Sequence, residues 1–289
     1  MAQFQINNDK FVNMLELGKY HTLTILRKTP PGLFLGDDDG NEVLLPNKYM
    51  PETYEIADEL YVFVYLDFDE RPVATNIVPK ILLNGFAYLE VKDVSDVGAF
   101  LDWGLEKDLF LPFREQISHV SIGGYCLVHL YKDKGSERLV ATEKVKKFLN
   151  NAELDVREGD KVSIIVIDKS DLGMNVIVNQ KYAGLIYHNE LFQELYTGQS
   201  MDAYVRKIRE NNKLDISLQA FGYTHIGTDA DRILNALKVQ NGFLGLHDRS
   251  QPEEIYEALG MSKKTFKKAV GLLFKDRKIA LEASGIRLV

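Results

Sequence analysis

Cysteine is nearly absent: Cys126 is the only one in 289 residues. It has no partner for an internal disulfide and no Cys-x-x-Cys for metal or redox chemistry, so nothing calls for an oxidising compartment. Long apolar runs are missing too, with no stretch near the roughly 18 apolar residues of a membrane span. Met1 to Lys10 carries Gln, Asn and Asp where an export signal would place a basic segment and an apolar run. A cytoplasmic protein with no membrane partner is expected. The common catalytic signatures are also lacking, among them Gly-x-x-x-x-Gly-Lys, Gly-x-Gly-x-x-Gly, His-Glu-x-x-His and Gly-x-Ser-x-Gly. His21, His119, His129, His188, His225 and His247 are scattered, none paired at ligand spacing. Asp37 to Glu42 superficially suggests a calcium loop, but Leu35 at its first ligand position and Pro46 at its twelfth exclude the EF-hand spacing. No enzymatic activity, no cofactor and no metal site is expected.

Positive charge is also in short supply overall, with a net charge of −7, which argues against a uniformly basic nucleic-acid binder. The balance is uneven. Net charge is −6 over residues 1 to 80, −1 over 81 to 150, −3 over 151 to 222 and +3 over 223 to 289. Only the last segment is basic, and the acidic first segment leaves room for a protein partner there.

What the sequence does have is a repeat. Residues 15 to 220 read as short strands of β-branched and aromatic residues, such as Tyr61 to Leu66 and Lys161 to Ile167, broken by Gly, Asp and Asn turns such as Asp39-Gly40. Three landmarks recur in order. A glycine opens an apolar strand at Gly32-Leu33-Phe34-Leu35, Gly98-Ala99-Phe100-Leu101 and Gly173-Met174-Asn175-Val176. A second strand, Leu44-Leu45-Pro46, Phe110-Leu111-Pro112 or Leu185-Ile186-Tyr187, ends 14 residues after that glycine. A closing strand ends at Thr75, Thr142 or Ser217, which lie 43, 44 and 44 residues after the glycine. A five-stranded barrel needs a glycine or bulge where a long strand bends around the closure, and these glycines suit that role.

From about Thr228 the period becomes helical. Asp229 is expected to cap a helix carrying Ile233, Leu234 and Leu237 that stops at Asn241-Gly242. Ser250-Gln251-Pro252-Glu253 reads as a capping box whose helix ends at Gly260, and Ser262 caps a third helix. On that helix Phe266, Ala269, Val270, Leu273 and Phe274 form an expected core stripe, with Lys263, Lys264, Lys267 and Lys268 on the opposite face. Ile279 to Leu281 and Ile286 to Val289 fit a hairpin around Ala283-Ser284-Gly285. The order is that of a winged helix, whose third helix commonly enters a major groove; a merely solvated lysine face fits equally well.

In the third copy, Gly184-Leu185-Ile186-Tyr187-His188-Asn189-Glu190, Tyr196-Thr197-Gly198-Gln199, Ala203-Tyr204-Val205-Arg206-Lys207-Ile208 and Lys213-Leu214-Asp215-Ile216-Ser217-Leu218 resemble the S1-type OB fold, with its Gly-Leu-Val-His-x-Ser-Glu and Leu-x-Leu-Ser strands. Copies one and two carry Pro46 and Pro112 where that family often has His. At the C-terminus, His247-Asp248-Arg249-Ser250, Pro252-Glu253-Glu254-Ile255-Tyr256, Gly260-Met261-Ser262-Lys263-Lys264 and Phe266-Lys267-Lys268-Ala269 resemble the winged-helix signature of the bacterial conserved virulence factor B family. The expected fold is mainly β with a C-terminal α+β module. Three tandem S1-type OB-fold barrels, over 1–80, 81–150 and 151–222, precede a winged helix over 223–289.

The resemblance implies RNA binding and a regulatory role. Aromatics that stack bases and cations that meet phosphates are then the candidate site. By position, Phe34 and Phe100 match an aromatic of the S1-type binding face, Trp103 follows on the same loop, and Tyr187 with His188 stands at the family's His. Arg206, Lys207, Arg209 and Lys213 supply charge in the third copy, and Lys263, Lys264, Lys267 and Lys268 supply it in the winged helix. Each aromatic alone also fits core packing. Single-stranded RNA crossing the junction of the third barrel and winged helix is the expected partner. The alternatives are a protein-interaction scaffold and a DNA-binding regulator acting through the winged helix.

Overall fold

The computed structural model describes residues 15–191, 193–219 and 226–289; Met1 to Lys10, His225 and the expected boundary between 222 and 223 lie outside them. Backbone contacts divide the chain into Met1–Leu218 and Gln219–Val289.

The first unit repeats one strand plan three times. Lys19–Thr29 (β1), Gly32–Gly36 (β2), Glu42–Pro46 (β3), Glu59–Leu66 (β4) and Pro72–Thr75 (β5) close into a barrel of order β1-β2-β3-β5-β4. Phe86–Val94 (β6), Gly98–Asp102 (β7), Leu109–Pro112 (β8), Tyr125–Lys132 (β9) and Leu139–Thr142 (β10) repeat it as a sheet of order β10-β9-β6-β7-β8. Here β8 and β10 lie side by side without a backbone ladder, so the second barrel, expected to match the others, has an unzipped seam. Lys161–Lys169 (β11), Gly173–Val178 (β12), Tyr182–Tyr187 (β13), Ser200–Ile208 (β14) and Leu214–Ser217 (β15) close again as β11-β12-β13-β15-β14.

The 14-residue spacing is a hairpin register: Gly32 faces Pro46, Gly98 faces Pro112 and Gly173 faces Tyr187. Glycine is required at these points by close approach. At Gly173 φ is +155° and a Cβ would stand 1.9 Å from the Ile186 carbonyl oxygen; Gly32 meets the Leu45 carbonyl in the same way at 2.0 Å. The bend assigned to these glycines lies instead in the preceding long strand. Its register shifts between Ile25 and Arg27, Val91 and Asp93, and Val166 and Asp168. A bulge adds one residue to one strand and increases local twist, which is what closure needs.

Buried apolar clusters join the barrels. Phe63, Tyr65 and Val73 of the first share a core with Leu89, Leu101 and Trp103 of the second. Phe86, Leu127 and Val145 of the second share another with Ile165, Ile167 and Ile177 of the third. At that second junction the Phe86 backbone amide donates to Gln180 Oε1 at 2.6 Å, and Lys146 pairs with Asp168 at 2.6 Å.

The second unit comprises Ile226–Val239 (α1), Phe243–Leu244 (β16), Pro252–Leu259 (α2), Lys263–Lys275 (α3), Ile279–Glu282 (β17) and Gly285–Leu288 (β18). The hairpin gains a third strand that alternation over two residues could not reveal: β16 pairs with β18. Several local expectations shift. Asp229 is buried in the first turn of α1 rather than preceding it. The α2 capping box begins at Gln251, whose amide donates to Glu254 Oε2 at 3.0 Å, while Ser250 Oγ accepts from the His247 amide at 3.1 Å. Pro252 explains the shift, because its fixed φ suits the first helical position and puts the cap one residue before it. Gly260 ends α2 at φ +61°, and Ser262 Oγ accepts from the Thr265 amide at 3.2 Å. Phe266, Ala269 and Leu273 are buried and Val270 packs beside them, but Phe274 is 53% exposed. Eight residues after Phe266 it has drifted roughly 80° around the helix, and Leu272 takes the place at the core edge. Among the described residues no helix is long and apolar enough to cross a membrane.

Candidate nucleic-acid interface

In the third barrel, parallel pairing of β13 with β15 sets Leu185 beside Asp215, and Tyr187, two residues on, ends the same strand. Arg209, just past β14, reaches both. Its guanidinium carbon lies 5.1 Å from the Tyr187 ring centroid, and its Nε donates to the two Asp215 oxygens at 2.9 and 2.7 Å. Asp215 is buried, whereas the Arg209 side chain is 49% exposed. The hydrogen bond from Arg209 to Asp215 and the charge of that carboxylate push Arg209 above the ordinary arginine range. The result is a fixed, half-exposed planar cation against an aromatic ring, suited to phosphate contact and to stacking.

Three residues earlier in the chain Arg206 pairs with Glu190, and Ser217 Oγ donates to Glu190 Oε2 at 3.1 Å. The second barrel repeats this brace, with Thr142 Oγ1 donating to Glu115 Oε2 at 2.8 Å. So Tyr187 and Arg209 come together, Arg206 is held on Glu190, and His188, Lys207 and Lys213 are exposed. Lys207 and Lys213 have no ion pair among the described residues. Glu190 and Asp215 are the residues that sequence reasoning missed. Their signal was present as the Glu of the turn after Tyr187 and the polar residue inside Leu214-Asp215-Ile216-Ser217, which a strand buries only with a partner.

The other aromatics are less alike than their spacing suggested. Phe34 is half-buried under Arg27, whose guanidinium lies 4.3 Å from the ring and is forked onto Glu42 at 2.7 and 2.6 Å. Phe100 is half-buried against Phe110, with ring centroids 5.4 Å apart. At the equivalent point of the third copy stands Asn175, which donates to Asp168 at 2.6 Å. Trp103 does not belong to a stacking surface. It is 3% exposed, edge-on to Phe63 at 5.9 Å and to Tyr65 at 6.1 Å, with its indole N–H on the Lys107 carbonyl at 2.6 Å. The position just after β7 is where the first two barrels meet, and the large ring fills that junction.

On α3 the expected division holds for the lysines. Lys264, Lys267 and Lys268 are exposed and Lys263 is half-buried, with no ion pair on any of the four among the described residues. Arg206 and Arg209, by contrast, each spend a charge on a carboxylate, so the winged helix holds the less compensated positive face.

A model described as the S1 domain matches residues 17–76 and 86–144, and one described as the CvfB-like winged helix domain matches 231–288. The S1 assignment of the first two barrels therefore does not depend on the histidine that Pro46 and Pro112 replace. The Bacillus subtilis protein YitL is 30% identical over 275 residues, spanning 92% of this chain and 91% of the relative. Conserved virulence factor B of Staphylococcus aureus strain USA300 is 25% identical over 246 residues, 81% of this chain and 80% of that protein. The chain belongs to the conserved virulence factor B family. A crystal structure described as a multidomain protein with nucleic acid binding domains, from Streptococcus pneumoniae, is similar across 96% of this chain and all of that one, at 25% identity and a TM-score of 0.41. Family membership brings S1 and winged-helix modules together in one chain, and both are module types of nucleic-acid binders.

Proposed function

We propose that this family member binds single-stranded RNA as a non-enzymatic, cytoplasmic regulator, with its contacts concentrated on the third barrel and on α3. The observation that carries the reading is Arg209, held by buried Asp215 and laid over Tyr187. A guanidinium locked in place loses little freedom on meeting RNA, and a ring with a cation accepts any base, which gives binding with modest sequence selectivity. The lysines of α3, which have no ion pair among the described residues, add phosphate contacts without reading bases. The link to virulence is the name of the staphylococcal relatives; a post-transcriptional regulatory role for this chain is part of the proposal.

The test is fluorescence anisotropy of the full chain with single-stranded RNA, single-stranded DNA and duplex DNA over a salt series. Single-stranded RNA should bind best, with affinity falling steeply as salt rises. Replacing Lys267 and Lys268 by Gln should lower the salt slope by about one unit for each phosphate no longer neutralised. Tightest binding to duplex DNA would make α3 a groove reader instead. No salt-dependent binding to any of the three would leave the protein-scaffold reading.

A further inference from the structure

Between the β7–β8 face of the second barrel and the turn joining β4 to β5 of the first lies a cavity of about 500 Å³. Phe100 and Phe110 supply its aromatic wall, and Phe68, 71% exposed, stands at its edge from the first barrel. This is the face on which an S1-type barrel would be expected to stack a base, but its charge is wrong for a polyanion. Lys107 and Arg138 also line it, and both are committed to Glu70, at 2.8 and 2.9 Å. Lys107 donates further to the Asp67 carbonyl at 2.7 Å. Lys80 and Lys92, nearby, are turned onto Asp102 at 2.7 and 3.9 Å.

Two further carboxylates line it, against the two cations that share Glu70. Asp93 accepts only its neighbour's amide, from Val94 at 2.8 Å, and Asp108 has no hydrogen bond or ion pair among the described residues. We infer that this cavity holds the guanidinium of an arginine presented by a protein partner. A flat cation stacks on ring faces and forks onto a carboxylate, whereas an ammonium does neither well. Glu70, Asp93 and Asp108 outnumber Lys107 and Arg138 in the lining, so a phosphate chain would meet net negative charge. Burial pushes the Asp108 carboxyl up by more than the charge of Lys92 lowers it, and Asp102 and Asp93 add to the rise, so an incoming cation would relieve it. The inference is independent of the RNA reading and stands if the third barrel and α3 bind nothing.

Trp103, the only tryptophan, lines the same cavity and reports on its contents. The full chain is titrated with N-acetyl-arginine amide, with a short Gly/Ser peptide carrying one Arg, with the same peptide carrying Lys, and with guanosine monophosphate. Expected is a saturable change in Trp103 fluorescence for the Arg ligands at millimolar concentration, the range for so few atoms. The Lys peptide should bind several-fold more weakly. Asp93→Asn with Asp108→Asn should weaken the Arg peptide about tenfold, as removal of one charge-assisted hydrogen bond would, while the Trp103 spectrum without ligand stays unchanged. An absent response to the Arg ligands, equal binding by Lys, unchanged affinity in the Asn variant, or tighter binding by guanosine monophosphate would each overturn the inference, the last by making the cavity a base site.

Discussion

His129 is a buried group whose protonation this fold resists. It lies on β9 at the junction of the second and third barrels, 3% exposed, with the Phe148 ring stacked 4.0 Å away and Phe86 at 4.6 Å. Its Nδ1 has no hydrogen-bond partner among the described residues. Burial therefore lowers its pKa from 6.5 to about 4. Below pH 6.5 the unfolded chain binds a proton that the folded chain refuses, so this residue costs no stability at neutral pH and an increasing amount as pH falls towards 4. Between pH 7.5 and pH 5 the cost is about 2 kcal/mol, taking 1.36 kcal/mol per pKa unit and the partial titration at each end. Trp103, in the core of the same barrel, is the probe: urea unfolding followed by its fluorescence at the two pH values gives the loss directly. His129→Phe should lose about 2 kcal/mol less than the native chain over that interval. Equal losses in both would show that His129 titrates as a solvated imidazole and that the β9 junction is wetter than its packing indicates.

Two further consequences concern the fold. Gly173→Ala would drive a methyl into the Ile186 carbonyl, 1.9 Å away at φ +155°; a loss of at least about 3 kcal/mol is expected for so strained a site, read as faster hydrogen exchange across β11 to β15. Trp103→Phe should leave RNA affinity unchanged while removing the indole hydrogen bond to Lys107, for a loss of about 1–3 kcal/mol in the stability of the first two barrels, measured by urea unfolding followed by circular dichroism.

The parts of this molecule that were readable in its sequence are those fixed by backbone geometry. A glycine, a strand end 14 residues on and a closing Thr or Ser report a hairpin register and a barrel seam, and these depend on spacing rather than on side-chain identity. Side-chain direction was harder to read. Phe34, Phe100 and Trp103 look alike in sequence, yet one lies under Arg27, one lines a cavity and one fills a junction between barrels. No local pattern encodes a neighbour that arrives from 40 residues away. Charge was harder still: Arg206 and Arg209 read as free cations because Glu190 and Asp215, which hold them, come from other elements. The helical stripe of α3 held for three buried positions and failed at Phe274, where the 3.6-residue period had drifted off the core.

The most direct test of the RNA surface is an anisotropy titration of the full chain with a short single-stranded RNA at several salt concentrations, comparing the native protein with Tyr187→Ala carrying Lys207→Gln and Lys213→Gln. These positions leave the Arg209–Asp215 and Arg206–Glu190 pairs intact, so circular dichroism should be unchanged. Removing one stacking platform, at roughly 1–3 kcal/mol, gives at least about fivefold weaker binding, and removing two lysines lowers the salt slope by up to about two units. Unchanged affinity and slope in the triple variant would contradict an RNA surface on the third barrel.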